Sequence, residues 1–158
     1  MAANDGELGE AGAMRGQVIY VAIPVDGRLV VREADEGLER HEWGVLQAGL
    51  LAAIHADVDP LRGRSNGIAL PGGLWARMAD DAVLDRSRYP RNPVASKLLA
   101  VLGAPGRRCF GTIVLLREDP ETGLITSLTD EQLAQVRKAH DQIHRRGSAS
   151  EPARPGPS

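Results

Sequence analysis

The chain has 158 residues, of which 42% are hydrophobic and 25% charged, so it has room for one ordinary globular core. Its formal net charge of -2 excludes a general attraction to nucleic acid or anionic membranes, and two Trp, two Tyr and one Phe are too few for a base-stacking platform. Arg makes up 17 of the 19 basic residues, a bias typical of GC-rich genomes. Cys109 has no second cysteine to pair with, and no apolar run approaches the roughly 20 residues of a spanning helix, so we expect a cytoplasmic protein.

Both ends of the chain are predicted to be disordered, which leaves a single domain at residues 17–146. Residues 1–16 are mostly Ala, Gly, Asp and Glu and bury too little apolar surface to offset the entropy of ordering. Initiation at Met14 instead of Met1 would explain this arm, and a functional acidic tail is the alternative. Residues 147–158 are rich in Pro, Gly and Ser, which is typical of flexible tails.

The domain is predicted to open with a β-hairpin. Two β-rich runs, Val18 to Val25 and Arg28 to Arg32, flank Asp26-Gly27, a pair that tolerates the positive φ of a two-residue turn. We expect a helix next, from Asp35 to about Ala48 around Trp43. Leu50 to Val58 fits either a helix or a strand, because periodicity cannot decide over so few residues, and we favour a strand.

Loops and short strands are predicted in the middle of the chain. Asp57 to Gly67 carries Pro, Gly, Ser and Asn and is expected to be a loop. Ile68 to Leu70 and Leu74 to Met78 are short strand candidates separated by Pro71-Gly72-Gly73, and Asp80-Asp81 follows as a turn.

The stretch from Asn92 to Leu116 predicts a helix followed by a strand, which together form the centre of the core. Asn92 is a good N-cap, Pro93 suits the first helical position, and Gly103 suits the residue just past the end. Cys109 to Leu116 contains β-branched residues and is bounded by turn formers, which favours a strand buried on at least one face.

The last predicted element is an amphipathic helix that follows a second hairpin arm at Leu124 to Leu128. Thr129 and Gln132 form a capping box, and apolar residues keep helical spacing to about Arg146. Together the elements predict an α+β fold with a mostly antiparallel sheet of five or six short strands and two or three helices.

Several features between Val18 and Leu128 occur in the same order in one protein family. They are the opening hairpin, the helix around Trp43, Leu74-Trp75-Ala-Arg-Met78 with its acidic turn, and Asn92-Pro93-Val94-Ala95-Ser96 followed by Gly111-Thr112-Ile113-Val114-Leu115. With them the chain resembles domain of unknown function 3846, found in mobile-element and phage genes of high-GC bacteria. The resemblance implies a small accessory protein, and the family offers no established catalytic residues to carry over.

Two histidines near the end of the last helix suggest a metal site. His140 and His144 are four residues apart, the spacing by which His-Glu-x-x-His peptidases hold zinc on one helical face. Asp141 replaces the glutamate that serves those enzymes as general base, and a third ligand would have to come from elsewhere. The alternative is a pair of ordinary histidines near a helix C-terminus, where the cation favours the dipole.

A local concentration of arginines suggests phosphate contacts. Its members are Arg86, Arg88, Arg91, Arg107 and Arg108. If they converge, they can bind phosphates beside the N-terminal amides of the Asn92 helix. The alternative is a solvated loop balanced by the nearby aspartates.

Other chemically active groups have simpler structural interpretations. Cys109 is expected to be an inert core thiol. His41-Glu42 and Asp57-x-Asp59 are expected to be solvated surface groups, with weak divalent-cation binding by the aspartates as the remote alternative. Pro71-Gly72-Gly73 lacks the residues of a phosphate-binding loop and is expected to be a turn.

These patterns predict a non-enzymatic accessory or interaction protein of a mobile element or phage, with no cofactor and an unknown protein partner. The first alternative is a nucleic-acid-associated protein that uses the arginine group. The second is a metal-dependent hydrolase at His140 and His144. No membrane association is expected.

Overall fold

The computed structural model describes residues 16–60, 65–80, 82, 85 and 87–153, with side chains described as far as residue 146. This part forms the predicted α+β fold, with three helices and eight strands. The helices are α1 (Ala48–Val58), α2 (Pro93–Val101) and α3 (Asp130–Ala153). The strands are β1 (Gln17–Ile23), β2 (Val30–Asp35), β3 (Leu38–His41), β4 (Gly44–Gln47), β5 (Ser65–Ala69), β6 (Leu74–Ala79), β7 (Ile113–Glu118) and β8 (Ile125–Thr126). The predicted disordered arm up to residue 15 and the end of the tail, 154–158, lie outside the described residues.

Six of the strands form one antiparallel sheet in the order β2-β1-β7-β6-β5, and β8 pairs with the end of β7. The predicted short strands on either side of Pro71-Gly72-Gly73 are confirmed as β5 and β6, joined by a single 3-10 turn. Strands β3 and β4 pair only with each other and form a separate hairpin.

The core lies on both faces of the sheet because β1 and β7 run through its middle. Tyr20 and Val114 pack with α1 on one face, whereas Val21 and Leu115 pack with α2 and α3 on the other. The result is three layers, with α1 on one side of the sheet and α2 and α3 on the other. The predicted packing of the Asn92 helix against the following strand is confirmed, since Leu98 shares a core cluster with Leu115.

Helix α2 begins as its sequence predicts. The Asn92 side-chain oxygen accepts a hydrogen bond from the Ala95 amide at 3.1 Å, and Pro93 occupies the first turn. The Asn92 side-chain amide also donates to the carbonyls of Ile23 and Gly111, both at 2.9 Å. One buried side chain therefore caps α2 and fixes it to the end of β1 and to the segment before β7.

The expected helix around Trp43 is wrong, because residues 38–47 form the β3–β4 hairpin with Glu42-Trp43 as its turn. Gly37, just before this stretch, and Gly44, directly after the turn, take φ values of 56° and 143° and interrupt any helical run.

The favoured strand at Leu50 to Val58 is also wrong, because this stretch is helix α1. Leu50, Ile54 and Val58 recur every four residues and are fully buried on one helical face against the sheet. The loop predicted at Asp57 to Gly67 is too long at both ends, because α1 continues to Val58 and β5 begins at Ser65. Residues 61–64 within it lie outside the described residues.

The opening hairpin is confirmed, but its two-residue turn is wrong. The register pairs Ala22 with Val30, and a turn closes instead with the Gly27 amide donating to the Pro24 carbonyl at 2.9 Å. Pro24 has no amide to continue the ladder, so strand pairing stops before it.

Two other boundaries differ from the expected ones. The strand predicted from Cys109 begins at Ile113, because residues 109–111 pair with residues 90–92 and Gly111 takes a φ of 73°. Helix α3 continues past Arg146 to Ala153, over the first part of the predicted tail. The capping box is confirmed: Thr129 Oγ1 accepts from the Gln132 amide and Gln132 Oε1 accepts from the Thr129 amide, both at 3.0 Å.

Candidate functional site

The β3–β4 hairpin is held at its base by a close contact between two glycines. The Gly37 carbonyl accepts from the amide of Ala48 at 3.1 Å, and the Glu36 carbonyl accepts from that of Leu50. A Cβ on Gly37 would lie 2.7 Å from the Gly49 backbone nitrogen, so no larger residue fits without moving the backbone. The hairpin is therefore attached rigidly to the first turn of α1.

Gln47, the last residue of β4, provides a second anchor. Its side-chain amide is buried and bonds both backbone groups of Ile125, donating to the carbonyl at 2.8 Å and accepting from the amide at 2.9 Å. The same amide donates to a Glu36 carboxylate oxygen at 2.8 Å. Gln47 thus fastens the hairpin to β8 in the way that a neighbouring strand would.

Beyond these anchors the hairpin exposes large apolar side chains. Trp43, in the turn, is 70% exposed, and Leu38 and Val45 are 51% and 36% exposed. Residues 38–43 are exposed throughout, so this tip of the hairpin is open to solvent. We call this tip, residues 38–45, the hairpin knob. The exposed indole of Trp43 is the candidate interaction group of the knob, because tryptophan is enriched at protein interfaces.

The Trp43 ring is held in place although it is exposed. It stacks on the His41 imidazole with centroids 4.6 Å apart and planes 5° from parallel. His41 is in turn fixed by the Glu39 carboxylate, 3.2 Å from its Nε2 atom. These two contacts favour one orientation of the indole, which reduces the entropy lost on binding.

The predicted histidine pair does come together on one face of α3. The Nε2 atoms of His140 and His144 are 3.1 Å apart, and both approach the Gly27 carbonyl oxygen, at 2.7 and 3.3 Å respectively. They line a cavity of about 450 Å³ between α3 and the β1–β2 turn. Its other charged lining residues are Asp26, Arg28, Arg137 and Asp141.

Asp26 is already engaged within that cavity. Its carboxylate accepts from the Arg28 amide at 3.0 Å and from Arg28 Nε at 2.6 Å, and these bonds lower the pKa of the carboxyl. In the part of the chain that the structure describes, no three His, Cys, Asp or Glu side chains converge as metal ligands.

The predicted arginine group is only partly assembled. Arg86 lies outside the described residues. Arg88 faces Asp85 at 3.8 Å, as expected for a solvated loop. Arg91, Arg107 and Arg108 are exposed, and the backbone pairing of residues 90–92 with 109–111 places Arg91 beside the segment that carries Arg108.

The two aspartates at the end of α1 do not form a shared cation site. Asp57 accepts from the Tyr20 hydroxyl at 3.1 Å and from Arg32 at 3.0 Å. Asp59 is buried rather than solvated and accepts from the Tyr89 hydroxyl at 2.8 Å. Each carboxylate therefore stabilises the fold through a tyrosine.

Both tyrosine hydroxyls have a shifted pKa in this environment. Burial, followed by the neighbouring carboxylate, raises the pKa of Tyr20 and of Tyr89 above the ordinary value.

Cys109 is buried, and burial raises the pKa of its thiol, which favours the interpretation as a core residue. The expected turn at Pro71-Gly72-Gly73 is confirmed, and the Gly72 carbonyl accepts from the Gln132 side chain at 3.0 Å. His41-Glu42 is exposed as expected, but His41 also supports Trp43.

Comparison with known proteins adds no assignment: no family model, curated protein or solved structure matches the chain. The resemblance to domain of unknown function 3846 stays a prediction. Among the described residues, no helix is long and apolar enough to cross a membrane.

Two groups at these sites, one side chain and one backbone carbonyl, cannot be identified as functional from the sequence alone. Trp43 is visible in the sequence as one of two tryptophans, but its exposure depends on the hairpin that replaces the expected helix. The Gly27 carbonyl is a backbone atom 113 residues from His140, and no residue pattern indicates it.

Proposed function

We propose that this is a non-enzymatic interaction protein that binds a partner protein through the hairpin knob, with Trp43 as the anchor. The observation that carries the proposal is the 70% exposure of an indole that is already stacked and held. Tryptophan is enriched among the residues that dominate binding energy at protein interfaces.

The shape and charge of the knob define the partner. Residues 38–43 of the knob are exposed throughout, so Trp43 can enter a concave surface of a partner. The knob contains two glutamates, Glu39 and Glu42, and one arginine, Arg40, so its charge does not attract a phosphate backbone. The partner is therefore a protein with an apolar pocket of indole size.

The biological setting remains part of the proposal. The resemblance to domain of unknown function 3846 associates the chain with mobile elements or phages, and we place it in the cytoplasm. An accessory protein there acts by occupying or bridging a partner, which requires a preformed surface and no catalytic group.

Photo-crosslinking tests the proposal. A photoreactive phenylalanine analogue is placed at Leu38, which lies on the knob but leaves Trp43 intact, and at Val101, an exposed apolar residue of α2, as the matched control. In a lysate of the source organism, we expect one adduct from position 38 and none of that mass from position 101. Adding Trp43→Ala to the Leu38 probe should abolish the adduct. An adduct that persists without Trp43, or that forms equally from position 101, would contradict the proposal.

A second candidate function, binding of nucleic acid, is favoured by the pairing that places Arg91 beside the segment of Arg108. Fluorescence anisotropy with short single- and double-stranded DNA measures it across a salt series. The Arg91→Ala/Arg108→Ala variant should lower the slope of log affinity against log salt by about one per lost phosphate contact. Arg40→Ala, on the knob, is the control. Absence of binding at low salt would exclude this function.

A further inference from the structure

We propose that His140, His144 and the Gly27 carbonyl form a site for one divalent transition-metal ion, such as Zn²⁺, which clamps helix α3 to the β1–β2 turn. The site uses none of the residues of the hairpin knob and does not depend on the function proposed above.

The first support is the geometry of the three donor atoms. The two Nε2 atoms and the carbonyl oxygen form a triangle with edges of 2.7, 3.1 and 3.3 Å. An ion about 2.05 Å from each of them would lie about 1.0 Å above their plane and subtend about 98° between the two nitrogens. The angles across the 2.7 and 3.3 Å edges are about 82° and 107°, so the three angles scatter around the octahedral value and the atoms can occupy one face of a coordination shell.

The second support is that, without an ion, the two Nε2 atoms and the Gly27 oxygen cannot all form good hydrogen bonds with each other. The Gly27 oxygen can only accept, and a neutral imidazole nitrogen either donates or accepts. The oxygen can accept from both imidazoles, but two N–H groups on nitrogens only 3.1 Å apart then repel each other. If His144 Nε2 is unprotonated instead, its lone pair faces the Gly27 oxygen at 3.3 Å. An ion that accepts all three lone pairs removes this conflict.

The ligand types define the class of ion. Imidazole suits zinc, copper and nickel, whereas calcium and magnesium prefer oxygen ligands. The remaining positions face the cavity, where water can complete the shell and Asp141 can accept a hydrogen bond from it.

The placement of the donors gives the ion a mechanical consequence. His140 and His144 belong to α3, whereas Gly27 lies in the turn after β1, more than 110 residues earlier. An ion bound by all three therefore cross-links the last helix to the first hairpin and binds the native state in preference to the unfolded chain.

The test uses the full chain without a histidine tag, stripped with a chelator and titrated with zinc chloride by calorimetry. We expect one ion per chain and a rise in melting temperature, with slower hydrogen exchange at the amides of residues 25–29. His144→Gln and His140→Gln should each weaken affinity at least tenfold and remove the exchange effect. Arg145→Gln, at an exposed position of α3 outside both the cavity and the knob, is the control and should bind zinc like the parent.

His144 is exposed, so its replacement leaves the fold intact, and circular dichroism verifies this. Affinity in His144→Gln within twofold of the parent would overturn the site. Absence of one-to-one binding in the parent would overturn it too. Stoichiometric binding that leaves exchange at the amides of residues 25–29 unchanged would overturn the clamp, because the Gly27 carbonyl would then not be a ligand.

Discussion

Replacing Asn92 by alanine removes three hydrogen bonds from a fully buried position. The side-chain oxygen caps α2 through the Ala95 amide, and the side-chain amide donates to the carbonyls of Ile23 and Gly111. Loss of an N-cap costs about 1 kcal/mol. Each carbonyl that loses a partner in the interior adds about 1 kcal/mol, the low end of the range for a buried polar group. We therefore expect Asn92→Ala to lower the free energy of unfolding by about 3 kcal/mol.

Two further variants separate the cap from the other two bonds. Asn92→Ser can still cap but cannot reach the carbonyls, so it should cost about 2 kcal/mol. Thr129→Ala removes a cap from the exposed start of α3 and should cost about 1 kcal/mol. Urea unfolding followed by circular dichroism measures all three. Equal losses for Asn92→Ala and Thr129→Ala would refute the view that Asn92 joins α2 to the sheet.

The remaining predictions concern the hairpin and the tyrosines. Gly37→Ala forces a Cβ against Gly49 and strains a φ of 56°, so unfolding free energy should fall by roughly 1–3 kcal/mol in urea. Trp43→Ala should change stability by less than about 0.5 kcal/mol in the same assay, because the indole is exposed. Tyr20 and Tyr89 have raised pKa values in the folded state, so their stabilisation is complete below about pH 10 and is lost as pH rises further. Phenolate absorbance should therefore rise together with loss of helical signal; ionisation of both tyrosines in a folded chain would contradict this.

The sequence alone predicts the helix caps and the central strand, because their signals lie within a few residues of each other. The Asn92 cap and the Thr129 capping box bond amides three residues ahead, so the chain itself carries their whole geometry. The β-branched composition of residues 109–116 predicts a strand, which the structure shows as β7. Its first four residues are buried, as expected for a strand in the middle of the sheet.

Two wrong predictions, at the β3–β4 hairpin and at helix α1, concern segments whose structure depends on tertiary contacts. Gly37 takes its positive φ against Gly49, which is visible only once the hairpin rests on α1. The helix at Leu50 to Val58 is stabilised by the sheet face that it covers, since its buried stripe of three residues is too short to identify alone.

The candidate sites divide in the same way. The spacing of His140 and His144 predicted a shared helical face, and the structure confirms it. The backbone oxygen that completes the donor set and the exposure of Trp43 both depend on the fold of distant segments.

The most direct test of the central claim is the affinity of the crosslinked partner, once purified, for three forms of the chain. Calorimetry compares the parent with Trp43→Ala and with Val101→Ala, which truncates an exposed apolar residue away from the knob. Loss of an interface anchor costs about 2 kcal/mol or more, a factor of roughly 30 in Kd. We predict that loss for Trp43→Ala and parent affinity for Val101→Ala. Equal affinities for all three forms would contradict the assignment of Trp43 as the anchor.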